Sequence, residues 1–271
     1  MNAKFPDYIR YPAIFFIAIT VLLIGFLFTR NGSEELKHAD DSYYAGEQAK
    51  EIAARQRNFN LALKYYKSLE ATYDPAFGSG KLYFNIANTY YQLREYPWAV
   101  LYYYKAMALM PRDNKAERNL KIALDKLSLK EQVDKSVFDR VFFLYHYLSL
   151  PERLQLFFVF AFLTFVFASI LIWLRSRWIK TLLILCVIMA GIMLISIGYT
   201  RYLSPLEGVI VTSTNIYRDA GTQYAKVTEQ PIPSGTKVEV KEIIPRNGKW
   251  LKILTPDGEF GYIPNNAIVI I

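Results

Sequence analysis

The chain has 271 residues and a formal net charge of +8, and 53% of its residues are hydrophobic. Basic and acidic residues occur in almost equal numbers within residues 31–150 and within residues 202–271, so the excess positive charge lies beside apolar segments. This distribution is typical of membrane topology signals and argues against a nucleic-acid-binding face, and the single cysteine excludes internal disulfides and cysteine-based zinc clusters.

The N-terminal region contains the first of three uncharged apolar stretches. Residues 11–29 are long enough to cross a bilayer, which takes about 20 residues, and basic residues border them. A cleaved secretory signal is the alternative, but the run is long and no small-residue cleavage site follows it. Residues 1–30 are therefore predicted to form an uncleaved signal anchor.

The next region contains a helical repeat between residues 80 and 113. Eight residues occupy the signature offsets of a tetratricopeptide (TPR) helix-turn-helix: Tyr83, Ile86, Ala87, Tyr90, Ala99, Tyr103, Ala106 and Pro111. Small residues suit the close crossing of two helices, and a proline ends the second helix. A weaker copy precedes the repeat, and residues 114–127 predict a capping helix. The chain thus resembles TPR proteins over residues 33–130.

A concave groove is implied by this resemblance, because the first helix of each TPR lines it. The residues predicted to face the groove and bind a partner are Phe84, Asn88, Tyr91, Gln92, Arg118 and Ile122. Aromatic rings beside an amide and a guanidinium suit an extended peptide or an acidic chain end. The alternative is that the protein's own helices or a partner subunit fill the groove.

The segment from 131 to 153 is rich in aromatic residues just before the second apolar stretch. It predicts an amphipathic juxtamembrane segment with Phe142, Phe143 and Tyr147 at headgroup depth. A continuation of the capping helix is the alternative.

Two further apolar stretches, residues 154–174 and 181–200, predict a transmembrane hairpin over residues 154–201. The loop between them contains Arg175, Arg177 and Lys180 and no acidic residue, which predicts a cytoplasmic loop. The basic N-terminal tail is expected on the same side. The predicted protein is therefore a multi-pass inner-membrane protein with both polar regions in the periplasm.

The C-terminal region, residues 207–271, changes to an alternating pattern of β-branched residues with turn signals between five short strands. These strands predict a small, partly open barrel. The segments Tyr217–Thr222, Gly235–Val240 and Gly261–Ile263 resemble a bacterial SH3 domain, from which Gly221 and Tyr262 depart. Three aromatic residues are the predicted partner-binding positions of this domain: Tyr217, Trp250 and Tyr262. A purely structural barrel that packs on a partner is the alternative.

Catalytic motifs do not occur in the sequence. His38 and His146 are the only histidines, and no nucleophile or metal-ligand spacing surrounds them. Phosphate-loop, zinc-protease and serine-hydrolase patterns are also missing. We therefore expect no enzymatic activity, no cofactor and no metal site.

The order of these parts resembles one family. An N-terminal span, a TPR pair, a span pair and an SH3-like barrel together are similar to the TPR/SH3 membrane (BatE-like) proteins of bacterial aerotolerance (Bat) operons. The resemblance implies a mixed multidomain membrane protein with all-α TPR hairpins, three transmembrane helices and a small all-β barrel. It also implies a scaffold that acts in oxidative-stress tolerance with von Willebrand A-domain membrane proteins and a MoxR-type ATPase. A peptidoglycan-sensing, wall-anchoring protein is the alternative.

Overall fold

The structure is a computed structural model that describes residues 34–72, 79–130, 147–244 and 250–271. Within these residues the chain forms seven α-helices and one five-stranded antiparallel sheet. The predicted anchor of residues 1–30, and residues 131–146 of the predicted juxtamembrane segment, lie outside the described residues. Two of the three predicted spans are present as helices.

The first five helices form the helical domain. They are α1 (Glu34–Gln48), α2 (Ile52–Thr72), α3 (Gly80–Gln92), α4 (Tyr96–Leu109) and α5 (Asn114–Lys126). Successive helices pack against each other, and Ala87, Ala99 and Ala106 are fully buried where α3 meets α4. Local signals define the helix starts: the Asp113 carboxylate accepts a hydrogen bond from the Lys115 backbone N–H at 2.8 Å, at the start of α5.

In the predicted weaker repeat, α1 carries a small residue where a large one is expected, and α2 carries the large one. Gly46 on α1 lacks the large side chain that the TPR resemblance implies at this position. The ring of Phe59 on α2 fills that space, since a Cβ on Gly46 would lie 2.9 Å from it. Phe59 is 1% exposed and contacts Tyr43 at a ring distance of 5.3 Å. A large residue is thus present, but on the opposite helix.

The hairpin consists of α6 (Leu150–Trp173) and α7 (Arg177–Tyr202). These helices have 24 and 26 residues, which at about 1.5 Å per residue exceeds the roughly 30 Å of a bilayer core. Both are long and apolar enough to span a membrane, and their apolar windows are 0% and 17% buried. Their apolar side chains are therefore not covered by the rest of the described protein.

The sheet domain, residues 206–271, has the strand order β4-β3-β2-β1-β5. Its strands are β1 (Leu206–Ile210), β2 (Lys237–Ile243), β3 (Trp250–Leu254), β4 (Phe260–Pro264) and β5 (Ile268–Ile270), with a 3-10 turn at Asn265–Ala267. The turn signals at Gly235 and Gly258 are confirmed, since both glycines have positive φ angles of 93° and 85°. Over the described residues the sheet is open, with β4 and β5 at its edges, and the predicted barrel is not closed.

Strand β1 is buried on both faces at its C-terminal end, where Val209 and Ile210 are both fully buried. Ile210 belongs to the core of the sheet domain, whereas Val209 belongs to the core of the helical domain. The turn at Gly235 also approaches α5, because a Cβ there would lie 2.3 Å from Cδ1 of Leu127. The helical domain and the sheet domain therefore share one interface.

Two glycine-to-alanine substitutions test whether this interface stabilises the protein. We expect Gly235→Ala to destabilise the protein by about 1–3 kcal/mol, because it adds a clash with Leu127 to the strain of a positive φ. Gly258→Ala is the matched control, since its φ is similar and nothing lies within 4 Å of its Cβ position. In thermal melts of the detergent-solubilised variants, the melting temperature of Gly235→Ala should be lower than that of Gly258→Ala. Equal melting temperatures would contradict the interface.

Candidate functional site

A cleft of about 220 Å³ lies on the helical domain. The alternate helices α1, α3 and α5 supply six of its seven lining residues, and α4 supplies the seventh. The lining residues are Tyr43, Asn88, Tyr91, Gln92, Tyr103, Asn119 and Ile122. The cleft thus contains phenol and amide groups with one exposed aliphatic side chain.

The floor of the cleft is a hydrogen-bonded set of three side chains. The Tyr103 hydroxyl donates to Oδ1 of Asn88 at 2.7 Å, and Nδ2 of Asn119 donates to the same oxygen at 3.0 Å. Tyr103 is 1% exposed and burial raises its pKa, so its hydroxyl stays a neutral donor. Within the described residues, Nδ2 of Asn88 and Oδ1 of Asn119 make no hydrogen bond. A donor and an acceptor are therefore available to a ligand.

One end of the cleft is formed by α1 and the end of α3. The Arg55 guanidinium donates to Oε1 of Gln92 at 3.2 Å, which orients that amide. Burial, together with the nearby Glu47 carboxylate, raises the pKa of Tyr43 to about 12. Tyr43 therefore remains an uncharged phenol near neutral pH. None of the residues that line the cleft carries a formal charge.

The structure brings four of the six predicted groove residues to this cleft: Asn88, Tyr91, Gln92 and Ile122. Phe84 lies instead against the Tyr103 ring at a centroid distance of 6.0 Å, and Arg118 is exposed on α5 outside the lining.

Sequence reasoning missed Tyr43, Tyr103 and Asn119. Tyr103 was assigned only to packing, although its ring is buried while its hydroxyl reaches the cleft floor. Tyr43 lies in the weaker repeat, where no signature offset indicates a groove position. Asn119 follows one helical turn after Lys115 on α5, and only its spacing from Ile122 could have suggested it.

Asn88 supports the fold as well as the cleft. We expect Asn88→Ala to destabilise the helical domain by about 1–3 kcal/mol, because the buried Tyr103 hydroxyl loses its acceptor. Gln92→Ala is the control, since its partner Arg55 is exposed. In urea titrations the unfolding midpoint of Asn88→Ala should be lower than that of Gln92→Ala. Equal midpoints would contradict this role of Asn88.

A second candidate surface lies on the sheet domain, where the three predicted aromatic residues meet. Tyr217 and Tyr262 exchange two backbone hydrogen bonds of 2.9 and 2.8 Å, which extends the pairing beyond β4. The rings of Tyr217 and Trp250 are 5.6 Å apart and nearly perpendicular. Gly261 permits this approach, since a Cβ there would lie 2.1 Å from Cγ2 of Ile216. All three aromatic side chains are half-buried.

Within the described residues, no group of three or more His, Cys, Asp or Glu side chains is arranged to hold a metal ion. Within the same residues, the neutral cleft and the aromatic surface are two candidate binding sites. Comparisons of the chain with protein-family models, with curated proteins and with solved structures find no match.

Proposed function

We propose that the protein is a scaffold of the bacterial inner membrane whose cleft binds an extended segment of a partner protein. The observation that carries this proposal is the cleft floor, where Asn88 and Asn119 keep a donor and an acceptor available in a neutral surrounding. A peptide main chain presents the complementary pair, one C=O acceptor and one N–H donor per residue. Binding of this kind needs no catalytic group.

The chemistry of the cleft favours a neutral segment over an acidic chain end. A carboxylate inside the cleft would be desolvated without a cation among the lining residues, and this is unfavourable. Ile122, which is 48% exposed, and the half-buried Tyr91 ring offer apolar contact to a side chain of the segment. We therefore propose an extended peptide with an apolar side chain as the ligand.

The helical domain supports a TPR interpretation because its small residues lie at the helix crossing and its cleft is lined mainly by alternate helices. The sheet domain supports an SH3-like interpretation through its strand order, in which β5 follows a 3-10 turn and pairs with β1. Together with the hairpin, these parts are the basis for proposing a Bat-type complex. In that complex the partners would be von Willebrand A-domain membrane proteins and a MoxR-type ATPase.

The proposed topology places the helical and sheet domains in the periplasm. It rests on the exposed apolar faces of α6 and α7 and on the basic turn between them. A C-terminal fusion to alkaline phosphatase, which is active only outside the cytoplasm, should be active in cells. A matched fusion of a cytoplasmic reporter should be inactive, and the reverse result would overturn the topology.

Site-specific photo-crosslinking tests the cleft. A photoreactive residue at Ile122 should capture a partner in intact cells, because this side chain lies in the cleft and is 48% exposed. Leu61 is the matched control, since it is 43% exposed on α2 and does not line the cleft. A second substitution, Gln92→Ala, should reduce the adduct at position 122. Equal capture at positions 61 and 122 would contradict the proposal.

The aromatic surface favours a second candidate, a peptidoglycan-sensing and wall-anchoring function. Tyr217, Trp250 and Tyr262 present half-buried rings together, and Nζ of Lys252 lies 5.9 Å from the Tyr262 ring. Flat aromatic groups suit the apolar faces of glycans as well as peptides. Sedimentation with purified peptidoglycan distinguishes the candidates: the wall-anchoring function requires co-sedimentation that Tyr217→Ala reduces and Gln92→Ala does not.

A further inference from the structure

Arg112 connects the helical domain to the start of the hairpin. It lies in the turn between α4 and α5, and its guanidinium forms an ion pair with the carboxylate of Glu152 in the first turn of α6. Its guanidinium carbon also lies 5.4 Å from the centroid of the Tyr147 ring. Glu152 accepts a hydrogen bond from the Ser149 backbone N–H at 2.9 Å as part of a capping box. The ion pair therefore joins two ordered helix ends.

Arg153, the next residue, connects the two helices of the hairpin. Its side chain is 3% exposed, and its guanidinium donates hydrogen bonds to the Ser196 hydroxyl at 3.0 Å and to the Thr200 hydroxyl at 2.7 Å. It also donates to the Ser196 carbonyl at 3.2 Å. A guanidinium is stable away from water only where acceptors replace the water. Burial of Arg153 therefore requires α7 to remain beside α6 at this end.

A third connection returns from α7 to the helical domain. α7 ends at Tyr202 and β1 begins at Leu206, so only three residues separate them. β1 then packs on the helical domain through Val209, which is fully buried. Lys237 on β2 adds a contact, since its Nζ lies 5.1 Å from the Tyr104 ring on α4. The helical domain is therefore connected to the hairpin at two places, at α6 through Arg112 and at α7 through β1.

We propose that Arg112, Glu152 and Arg153 form a clamp that holds the helical and sheet domains in one fixed orientation on the hairpin. A body attached at one point can tilt about it, whereas attachment at separated points removes that freedom. The clamp connects α5, which lines the cleft, to α6 through the turn at Arg112. In a membrane the cleft then keeps a constant height and direction relative to the bilayer. This last consequence rests on the proposed function, and it favours partners that are themselves anchored in the membrane.

The Arg112–Glu152 ion pair and the hydrogen bonds of Arg153 constrain the structure to different extents. An exposed ion pair such as Arg112–Glu152 contributes little by itself, because water screens it. The buried Arg153 is a stronger constraint, since separating the helices would leave a charge without acceptors. Arg112 is expected to select the orientation of the domains, whereas Arg153 maintains the pairing of α6 with α7. The two links can therefore be tested separately.

Distances between spin labels measure the orientation directly. The full-length protein would be placed in lipid nanodiscs, with Cys186, its only cysteine, replaced by alanine. Labels at Lys126 on α5 and Ile188 on α7 are suitable because both side chains are exposed. Double electron–electron resonance should give one narrow distance distribution in the parent. No partner is present, so the result does not depend on whether the cleft binds a peptide.

Three variants test the links. Arg112→Gln removes the cation, and Glu152→Gln removes the charge while keeping a side chain that suits the capping box. Ser196→Ala/Thr200→Val removes both hydroxyl acceptors of Arg153 and leaves its guanidinium with backbone carbonyl acceptors, so the pairing of α6 with α7 is weakened. Ser196→Ala/Thr200→Val should broaden the distribution about twofold, and the Arg112 and Glu152 variants should broaden it measurably but less, because additional tilted conformers become populated. Arg57→Gln, an exposed arginine on α2, is the matched control and should leave the distribution unchanged.

The double variant Arg112→Gln/Glu152→Gln should broaden the distribution no more than either single variant, since both remove the same contact. Additive broadening would overturn the assignment of this pair to the clamp. A broad distribution in the parent, or distributions in all three variants that match the Arg57→Gln control, would overturn the clamp itself. Circular dichroism of each variant confirms that the helices are intact.

Discussion

Phe59→Ala should destabilise the helical domain by about 3–5 kcal/mol, one of the two largest single effects expected in this chain. The Phe59 ring is 1% exposed and occupies the space beside Gly46, so its removal leaves a cavity between α1 and α2. Neighbouring side chains cannot fill the cavity without moving a helix, because protein interiors are close-packed. Urea unfolding of the detergent-solubilised protein, followed by far-ultraviolet circular dichroism, measures the loss.

Leu61→Ala is the matched control on the same helix. Leu61 is 43% exposed, and we expect its substitution to change the free energy of unfolding by about 0.5 kcal/mol or less. We expect Phe59→Ala to affect partner binding at the cleft as well. Tyr43 contacts the Phe59 ring at 5.3 Å and lines the cleft, so loss of the ring should also weaken crosslinking from position 122. Similar unfolding midpoints for the two variants would show that Phe59 is not a core residue.

Ile253→Ala should destabilise the sheet domain by about 2–5 kcal/mol. Ile253 is fully buried in the interior strand β3, and it pairs with Val240 on β2 and Gly261 on β4. Its removal creates a cavity in the small core of this domain, where few apolar contacts can compensate. Hydrogen exchange of residues 250–264, read by mass spectrometry, should show faster exchange in the variant.

Ile243→Ala controls for the loss of a β-branched residue. It lies at the end of β2 with a side chain that is 51% exposed, so its effect should be about 1 kcal/mol or less. The shared interface predicts that Ile253→Ala also affects the helical domain, because β1 is part of both cores. If exchange in α4 and α5 is unchanged while β3 exchanges quickly, the two domains are not coupled through β1.

Local sequence signals predicted most of the secondary structure. Alternating β-branched residues indicated the strands because successive side chains of a strand point to opposite faces. The turn glycines were identifiable because only glycine adopts a positive φ angle without strain. The helix pair α3 and α4 was predicted from the spacing of small and large residues, such as Ala87 and Ala99. Length and hydropathy alone predicted the two helices of the hairpin.

The candidate site was predicted only in part. Residues at helical spacing on α3, such as Asn88 and Gln92, were placed correctly on the cleft because one helix presents them on one face. Tyr103 and Asn119 were missed because their roles depend on a contact between three helices. Their hydrogen bonds cross 15 and 31 residues of sequence, and no local period records such a distance.

Short-range periodicity and backbone sterics were sufficient to predict the helix pair, the strands, the turn glycines and the apolar hairpin. The role of Arg153 depends on tertiary contacts, because its hydrogen-bond acceptors lie on another helix. Its acceptors Ser196 and Thr200 lie 43 and 47 residues further along the chain. Only the tertiary structure also placed β1 against the helical domain. Both findings depend on packing between elements that are distant in sequence. Whether a strand is buried on its second face, and which group accepts a hydrogen bond, is decided by the whole fold.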